Sequence, residues 1–493
     1  MRALAHFLGN SEAADAFYAA VKIPNFPQNL LGEGVLSASF IPVYANLIAK
    51  DDKALAGQVA GVILSLLAAI VAVIVFTGVI LTPNLIDLIA PGFHDQKREL
   101  TIHLVQIIFP ATGLLVISAW CLGILNSHHK FFLSYAAPLV SNLAVVIVLF
   151  CFRHEPLENK LAVYAAWGIV LGALAQLLAQ LPVTLKLIPH LKIGFSFSTD
   201  SVQEIIKNFV PVVVSRGVVQ MSAYIDSILA SFLPSGAVAA LGYAQAIYML
   251  PISLFGMSVA AAELPSMSQA YGSANFYLIL KQRLNSASRK IAYFVIPSVA
   301  AFLVLGDVVA ALLFQTGQFN HATSVYVWTI LAGSSVGLLA STLGRLYSSA
   351  FYSLRDTKTP LRFSLIRVIL TTVLGYFMGL WLPKLLGVQA SWGTAGLTAS
   401  SGIAGWFEFF LLRRKLNSLI GISGLDRNFL AKLWIAALLS SAIGFLVKIL
   451  LPDPHPFLRG VVIISLFALS YLALSIALGI EEAKVFLNRF KRR

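Results

Sequence analysis

Charged residues are scarce in this sequence. Only 11% of its 493 residues are Asp, Glu, Lys or Arg, whereas 58% are hydrophobic, and the mean hydropathy is +0.84. A soluble core cannot hide that much apolar surface. Because the apolar blocks continue along the whole chain, no segment is left for an independent soluble domain. The sequence therefore predicts one all-α polytopic membrane domain.

Motifs for enzymatic chemistry are missing as well. The sequence contains no P-loop, no zinc-ligand cluster and no nucleophile elbow. Its two cysteines, Cys121 and Cys151, lack the spacing of metal ligands and lie in apolar stretches, where cysteine is usually a small buried hydrophobe. We therefore predict a transporter rather than an enzyme, with no catalytic residues, no metal and no cofactor. The membrane potential and a monovalent cation are the candidate energy sources.

The N-terminus lacks the apolar run and small-residue cleavage site of a signal peptide. Residues 3–9 look like the end of a hydrophobic helix, well short of the roughly 20 residues that a span requires, so we expect a truncated first helix.

Thirteen further apolar segments bring the expected total to about fourteen. These segments lie near 11–48, 54–90, 100–126, 133–152, 161–188, 202–233, 236–272, 276–314, 321–353, 359–383, 390–416, 428–451 and 457–480.

Basic residues concentrate in alternate turns. If the N-terminus is cytoplasmic, 23 of the 35 Lys and Arg residues fall in inside turns or in the C-terminal tail, and only seven fall in outside turns. Cytoplasmic loops carry such an excess, so we predict a multi-pass plasma-membrane protein with both termini in the cytoplasm. The excess of 35 basic over 21 acidic residues suits anionic lipids or an anionic substrate, and no nucleic-acid partner is expected.

The sequence also contains a weak internal repeat with an offset of about 225 residues. Pro24 and Pro42 of the second helix recur as Pro251 and Pro265 of the eighth, in the same order. A repeat of six helices gives two lobes of the same orientation, related by an axis along the membrane normal. We therefore predict helices 1–6 within 1–190, helices 7–12 within 191–416, and two extra helices with a basic tail within 417–493.

The second helix contains a polar, interrupted stretch, IPNFPQNLLGEG, at residues 23–34. Its two prolines and two glycines free carbonyl groups and open space beside Asn25, Gln28 and Glu33. One interpretation is a hinge with a polar cavity wall. The other is a structural kink in which Glu33 pairs with a neighbouring helix.

Ionisable side chains elsewhere in the apolar segments are further candidates, because each costs a few kcal/mol in lipid unless it faces a cavity or a partner. Arg216 and Asp226 lie ten residues apart in the seventh helix, about 15 Å along its axis, so they cannot pair with each other. Arg216 either binds an anionic headgroup or forms a structural ion pair. Glu263 in the eighth helix either lines a cavity or braces the break at Pro265.

Several strings carry a family resemblance. The second helix contains GNSEAADAFYAAVKIPN and NLLGEGVLSASFIPVY, the eighth contains PISLFGMSVAAAELPSMS, and APGF, FPATGLL and GILNSHHKF occur between them. Together these strings closely resemble the MurJ (MviN) family of lipid II flippases, within the multidrug/oligosaccharidyl-lipid/polysaccharide exporter superfamily. The resemblance covers essentially the whole chain.

The resemblance implies a MATE-like fold of fourteen helices, with two six-helix lobes around a V-shaped cationic cavity and a groove for a polyprenyl tail at the last two helices. It implies that lipid II, the undecaprenyl-pyrophosphate-linked peptidoglycan precursor, moves from the cytoplasmic to the outer leaflet of the bacterial inner membrane by alternating access. Membrane lipids and cell-wall synthesis proteins are the other implied partners. Asp15, Lys22, Asn25 and Glu33 match the family pattern.

This sequence also departs from the family pattern. The family usually has arginine at the positions of Gln28 and Ala246, and Arg2 is the arginine that remains near the first helix. Arg216 is a candidate compensating cation. Asp226 fits the family's sodium-binding carboxylate, but residues 371–377 lack the expected Asn and Asp.

These departures keep three alternatives open. The first is a flippase for another polyprenyl-linked oligosaccharide, which the lost arginines favour. The second is a MATE-like drug or cation antiporter, which would need an acidic cavity. The third is a scaffold or inactive paralogue that does not transport.

Overall fold

The computed structural model describes residues 1–196, 198–269, 275–451 and 455–491, with the side chains of 214–223, 486 and 488–491 outside the description. Within these ranges the chain forms α-helices and no β-strand. The first nine helices are α1 (Arg2–Leu8), α2 (Glu12–Leu31), α3 (Glu33–Ala49), α4 (Lys53–Ile80), α5 (Thr82–Ile89), α6 (Asp95–Ser127), α7 (Phe131–Cys151), α8 (Glu158–Leu187) and α9 (Asp200–Ser231).

Eleven helices follow, and short π-helical turns at Ile252–Met257 and Phe377–Trp381 join some of them. They are α10 (Ala237–Pro251), α11 (Ser258–Gln269), α12 (Phe276–Val304), α13 (Gly306–Phe314), α14 (His321–Ser353), α15 (Lys358–Tyr376), α16 (Leu382–Leu385), α17 (Gly393–Ile420), α18 (Arg427–Leu450), α19 (Pro456–Ala477) and α20 (Glu481–Lys491).

Twelve helical segments of the described ranges are long and apolar enough to cross a membrane. The prediction of an all-α, multi-pass membrane protein is therefore confirmed. Of the fourteen expected spans, thirteen correspond to long helical segments, and α1 has only seven residues. The long helix α9 is not among these twelve, which are counted on the described residues alone, and the side chains of its residues 214–223 lie outside the description. Large apolar side chains such as Phe76 and Leu143 lie exposed on the helices, as contact with lipid requires.

Packing divides the chain into two compact units. One unit is Ser11–Val238, and the other combines Met1–Asn10 with Ala239–Arg493. Helix α9 therefore groups with α2–α8, whereas the repeat assigns it to the second lobe. The predicted lobes at 1–190, 191–416 and 417–493 describe sequence symmetry and stay a prediction.

The core of the Ser11–Val238 unit lies between α3, α4 and α6. Phe40 and Tyr44 of α3 stack with ring centroids 5.2 Å apart, and Trp120 of α6 is fully buried beside them. The Trp120 indole N–H donates to the Ala60 carbonyl at 3.1 Å, so the largest core side chain leaves no buried donor unpaired. Leu31, the last residue of α2, packs into the same core.

The second unit is held together by close helix packing and buried polar contacts. Gly337 of α14 and Gly402 of α17 bring their two backbones into direct contact. The Asp307 carboxylate lies 2.6 Å from the Lys448 ammonium and joins α13 to α18. Tyr471 of α19 donates its hydroxyl to the Tyr293 carbonyl of α12 at 2.7 Å. The last two of these contacts attach α18 to α13 and α19 to α12.

Candidate functional site

A cavity of about 700 Å³ lies inside the Ser11–Val238 unit, between α2, α3, α6, α7 and α8. Its volume falls in the range of ligand pockets, roughly 300–1,000 Å³. Polar side chains line it although every helix around it is predominantly apolar. They are Asn25, Gln28, Asn29, Glu33, Ser37, Ser118, Ser141, Asn142 and Gln176.

The interruption predicted in the second helix forms one wall of this cavity. Pro24 and Pro27 lie within α2 and lack the N–H groups that would bond the preceding turn. The chain then leaves helical geometry at Gly32, where φ is −82° and ψ is −156°, and α3 begins at Glu33. A side chain at residue 32 would meet the Gln28 carbonyl at 2.5 Å, so glycine permits this break. The break leaves polar side chains facing the cavity.

Three predicted site residues meet in this cavity. Asn25 and Gln28 are three residues apart on one face of α2, and Glu33 follows the break. Glu33 is exposed, which favours the cavity-wall interpretation over a buried pair with a neighbouring helix. Their role in binding substrate stays a prediction.

The opposite wall contains polar residues that sequence reasoning missed. The Gln176 amide of α8 donates to the Ser118 hydroxyl of α6 at 2.9 Å, and that hydroxyl donates to Gln180 Oε1 at 2.5 Å. Ser141 and Asn142 of α7 complete this wall. The available signal was the presence of amide and hydroxyl side chains in strongly apolar helices, because outside the second helix only ionisable residues were predicted to be site residues.

Charge is nearly absent from the cavity. Among the described residues that line it, Glu33 is the one acid, and none is basic. Its chemistry is therefore that of amide and hydroxyl groups, which both donate and accept hydrogen bonds.

Asp15 lies elsewhere in the same unit. Its carboxylate is buried, 2.6 Å from the Lys97 ammonium, and accepts the Gly236 N–H at 2.7 Å. These contacts join the start of α2 to α6 and to the segment before α10. Asp15 does not line the cavity.

Lys22 and Asp226 lie close together between α2 and α9. The Lys22 ammonium donates to the Ser227 hydroxyl, and the Asp226 carboxylate attracts it electrostatically. The Tyr224 hydroxyl donates to the Lys22 carbonyl at 2.8 Å. This arrangement places a protein cation near the predicted ion-binding carboxylate. In the described part of the chain, no group of three or more His, Cys, Asp or Glu residues is arranged to hold a metal ion.

The remaining predicted residues are distributed over the rest of the chain. Arg216 lies in α9, where its side chain is outside those described. Arg2, in the unit that contains α10–α20, has its guanidinium 5.7 Å from the centre of the Phe457 ring. Glu263 lies in that unit too, 3.2 Å from Arg283 and 3.5 Å from Lys290 of α12. The contacts of Glu263 are those of a brace between α11 and α12.

Comparison with known sequences gives consistent matches along the chain. A family described as lipid II flippase MurJ matches residues 4–483. A probable lipid II flippase MurJ of Rhizobium tropici is 31% identical over 422 residues, which cover 82% of this chain and 74% of that protein. One of Rickettsia prowazekii (strain Madrid E) is 27% identical over 454 residues, which cover 90% of this chain and 85% of that protein.

Comparison with solved structures shows the same fold. A lipid II flippase MurJ in an inward closed conformation matches with a TM-score of 0.78 at 21% identity, covering 96% of this chain and 94% of that one. An inward-facing MATE family multidrug resistance transporter of the MOP superfamily matches with a TM-score of 0.68 at 19% identity, covering 84% of this chain and 95% of that one. The predicted MATE-like architecture is therefore confirmed.

Proposed function

Because the chain belongs to the lipid II flippase MurJ family, we propose that it moves lipid II from the cytoplasmic to the outer leaflet of the bacterial inner membrane by alternating access. The substrate is the undecaprenyl-pyrophosphate-linked disaccharide pentapeptide. The chain acts as a transporter and makes or breaks no covalent bond in this substrate.

The polar cavity between α2, α3, α6, α7 and α8 is the observation that carries this proposal. A glycolipid headgroup is strongly hydrated, so its passage through an apolar membrane requires polar groups that replace water. The cavity provides these groups inside membrane-spanning helices. The polyprenyl tail, being apolar, stays in the lipid throughout.

The orientation and partners belong to the same proposal. The bias of basic residues toward alternate turns supports cytoplasmic termini. Membrane lipids surround the chain, and cell-wall synthesis proteins would supply and consume its substrate.

For energy coupling we favour the membrane potential over a monovalent cation, with no bound cofactor. The Lys22 ammonium attracts the Asp226 carboxylate and would compete there with a sodium ion. The membrane potential acts directly on the charged headgroup that crosses the bilayer.

The test is to express the chain in a bacterial strain depleted of its own lipid II flippase. We expect growth to resume and lipid II to become accessible at the outer leaflet to a membrane-impermeant labelling reagent. Asn142→Trp should fill the cavity and abolish rescue. The matched control is Leu143→Trp on the adjacent, exposed position of α7, which should rescue normally. Inserted protein that leaves outer-leaflet lipid II at the depleted level would refute the proposal.

A second candidate substrate is another polyprenyl-linked oligosaccharide. Gln28, where the family usually has arginine, lies in a cavity wall that has no base among its described residues. Rescue of a strain defective in such an oligosaccharide flippase, without rescue of lipid II transport, would favour this candidate.

A further inference from the structure

We infer that the cavity in the Ser11–Val238 unit recognises the uncharged N-acetylated sugar of the headgroup, through its hydroxyl and amide groups, and does not hold the pyrophosphate. This inference rests on the proposed function and assigns the cavity to one part of the proposed substrate.

The charge of the lining excludes pyrophosphate as the preferred occupant. The described lining residues include the Glu33 carboxylate and no basic group. A pyrophosphate carries several negative charges, and the exposed Glu33 carboxylate would repel it, with no basic group among the described lining residues to offset this repulsion. A neutral sugar meets no such repulsion.

The closest cation along the chain does not change this charge balance. Lys22 lies one turn before Asn25 on α2, but it is not a lining residue of the cavity. Its ammonium is engaged by Ser227 and attracted by Asp226. A cation with these two partners is already stabilised inside the protein, so it has little to gain from a phosphate.

The polar groups that line the cavity match the chemistry of an N-acetylated sugar. Asn25, Gln28, Asn142 and Gln176 present primary amides, each with two N–H donors and one carbonyl acceptor. Adjacent sugar hydroxyls and a secondary amide need donors and acceptors of this kind side by side. The apolar side chains of Leu122 and Val145 also line the cavity and can cover the C–H face of a sugar ring.

One wall of the cavity is ordered before any ligand arrives. Gln176 is buried and bonds to Ser118, which bonds in turn to the fully buried Gln180. In the described chain the Nε2 group of Gln180 has no hydrogen-bond partner, so this buried network retains an unused donor. Side chains that are already fixed lose little conformational entropy on binding, which favours recognition of a neutral ligand with modest individual hydrogen bonds.

The experiment measures dissociation constants for the purified full chain in lipid nanodiscs. Three probes are compared: undecaprenyl pyrophosphate, the same lipid bearing the disaccharide with its peptide-bearing carboxyl group capped as an uncharged amide, and the same lipid bearing the disaccharide pentapeptide. We expect the disaccharide to tighten binding to the unaltered chain. Asn142→Leu and Gln176→Leu should each weaken binding of both glycolipids about five- to tenfold and leave undecaprenyl pyrophosphate unchanged.

Controls separate recognition from folding. Leu143→Ala, next to Asn142 on the exposed side of α7, should leave all three dissociation constants unchanged. Asn142 is exposed in the cavity, so its replacement tests the inference even if a change at the buried Gln176 prevents folding. Thermal unfolding of each variant establishes that it is folded.

The other outcomes each overturn the inference. Equal weakening for all three probes would place the pyrophosphate in the cavity. Weakening for the pentapeptide form alone would place the peptide there instead, and no weakening at all would mean that the cavity does not contact the headgroup. If the unaltered chain binds undecaprenyl pyrophosphate but gains nothing from the sugar, the inference fails while the proposed function stands. If the chain binds none of the probes, both fail together.

Discussion

The carboxylate of Asp15 lies 2.6 Å from the ammonium of Lys97, although 82 residues separate the two in the sequence. Only 1% of the Asp15 side chain and 11% of the Lys97 side chain are exposed. The Lys97 ammonium also lies 4.2 Å from the centre of the Phe93 ring. This buried pair therefore anchors the start of α2, the helix that carries one wall of the cavity.

Removing one partner of this pair should destabilise the protein strongly. Asp15→Asn leaves the Lys97 ammonium buried without its counter-charge, which should lower the free energy of unfolding by about 3–5 kcal/mol. The measurement is chemical or thermal unfolding in detergent. The matched control is Asp87→Asn, which removes an exposed ion pair with Arg98 at 2.7 Å and should change stability little. Similar losses of stability in the two variants would contradict the prediction that the buried Asp15–Lys97 pair stabilises the protein more than the exposed Asp87–Arg98 pair does.

Glu263 should behave as a brace rather than as a substrate ligand. Its partners Arg283 and Lys290 are 44% and 52% exposed, so solvent screens both pairs. Glu263→Gln should therefore cost about 1 kcal/mol of stability and leave transport per folded molecule unchanged. Arg283→Gln serves as the matched control and should give a similar stability loss. If Glu263→Gln abolished transport and left stability unchanged, Glu263 would contact the substrate rather than stabilise the fold.

The contact between α14 and α17 should tolerate no side chain at Gly337. A Cβ at this position would lie 2.3 Å from the Gly402 Cα, so Gly337→Ala must push the helices apart at a cost of about 1–3 kcal/mol. On the same helix α14, Gly344 has nothing within 4 Å of its Cβ position. Gly344→Ala should be neutral or stabilise by up to about 1 kcal/mol. If the free energy of unfolding were lower for Gly344→Ala than for Gly337→Ala, the close contact between α14 and α17 at Gly337 would be refuted.

Acid should weaken the turn before α15. The hydroxyl of Thr359, donating at 2.6 Å, holds the pKa of Asp356 below its ordinary value of 3.8, and the backbone N–H groups of Thr359 and Lys358 also donate to this carboxylate. A lowered pKa means that the ionised carboxylate stabilises the folded chain above pH 3.8. This contribution is lost as the pH falls through the folded-state pKa.

The corresponding experiment compares unfolding at pH 7 and near pH 3 for the unaltered chain and Asp356→Asn. The variant should lose less stability than the unaltered chain across this interval, by less than about 1 kcal/mol, because Asp356 lies in a surface turn. Identical losses in the two proteins would show that Asp356 does not titrate with folding.

The interrupted second helix indicates part of the cavity wall from the sequence alone. Asn25, Gln28 and Glu33 are neighbours in sequence, and Gly32 breaks the helix beside them, so local chemistry was enough to group them. Asn142 and Gln176 could not be assigned in the same way. Each belongs to a different apolar helix, and nothing local indicates that their side chains face one space.

The sequence by itself determined where the helices lie, because hydropathy and helix length are local properties that the bilayer enforces on every segment. Only the tertiary structure decided which charges became structural pairs and which polar groups surround a cavity. Asp15 and Glu33 are both acids of the interrupted second span, yet one is buried against Lys97 and the other is exposed in the cavity. That difference depends on partners contributed by distant helices, and no local pattern encodes it.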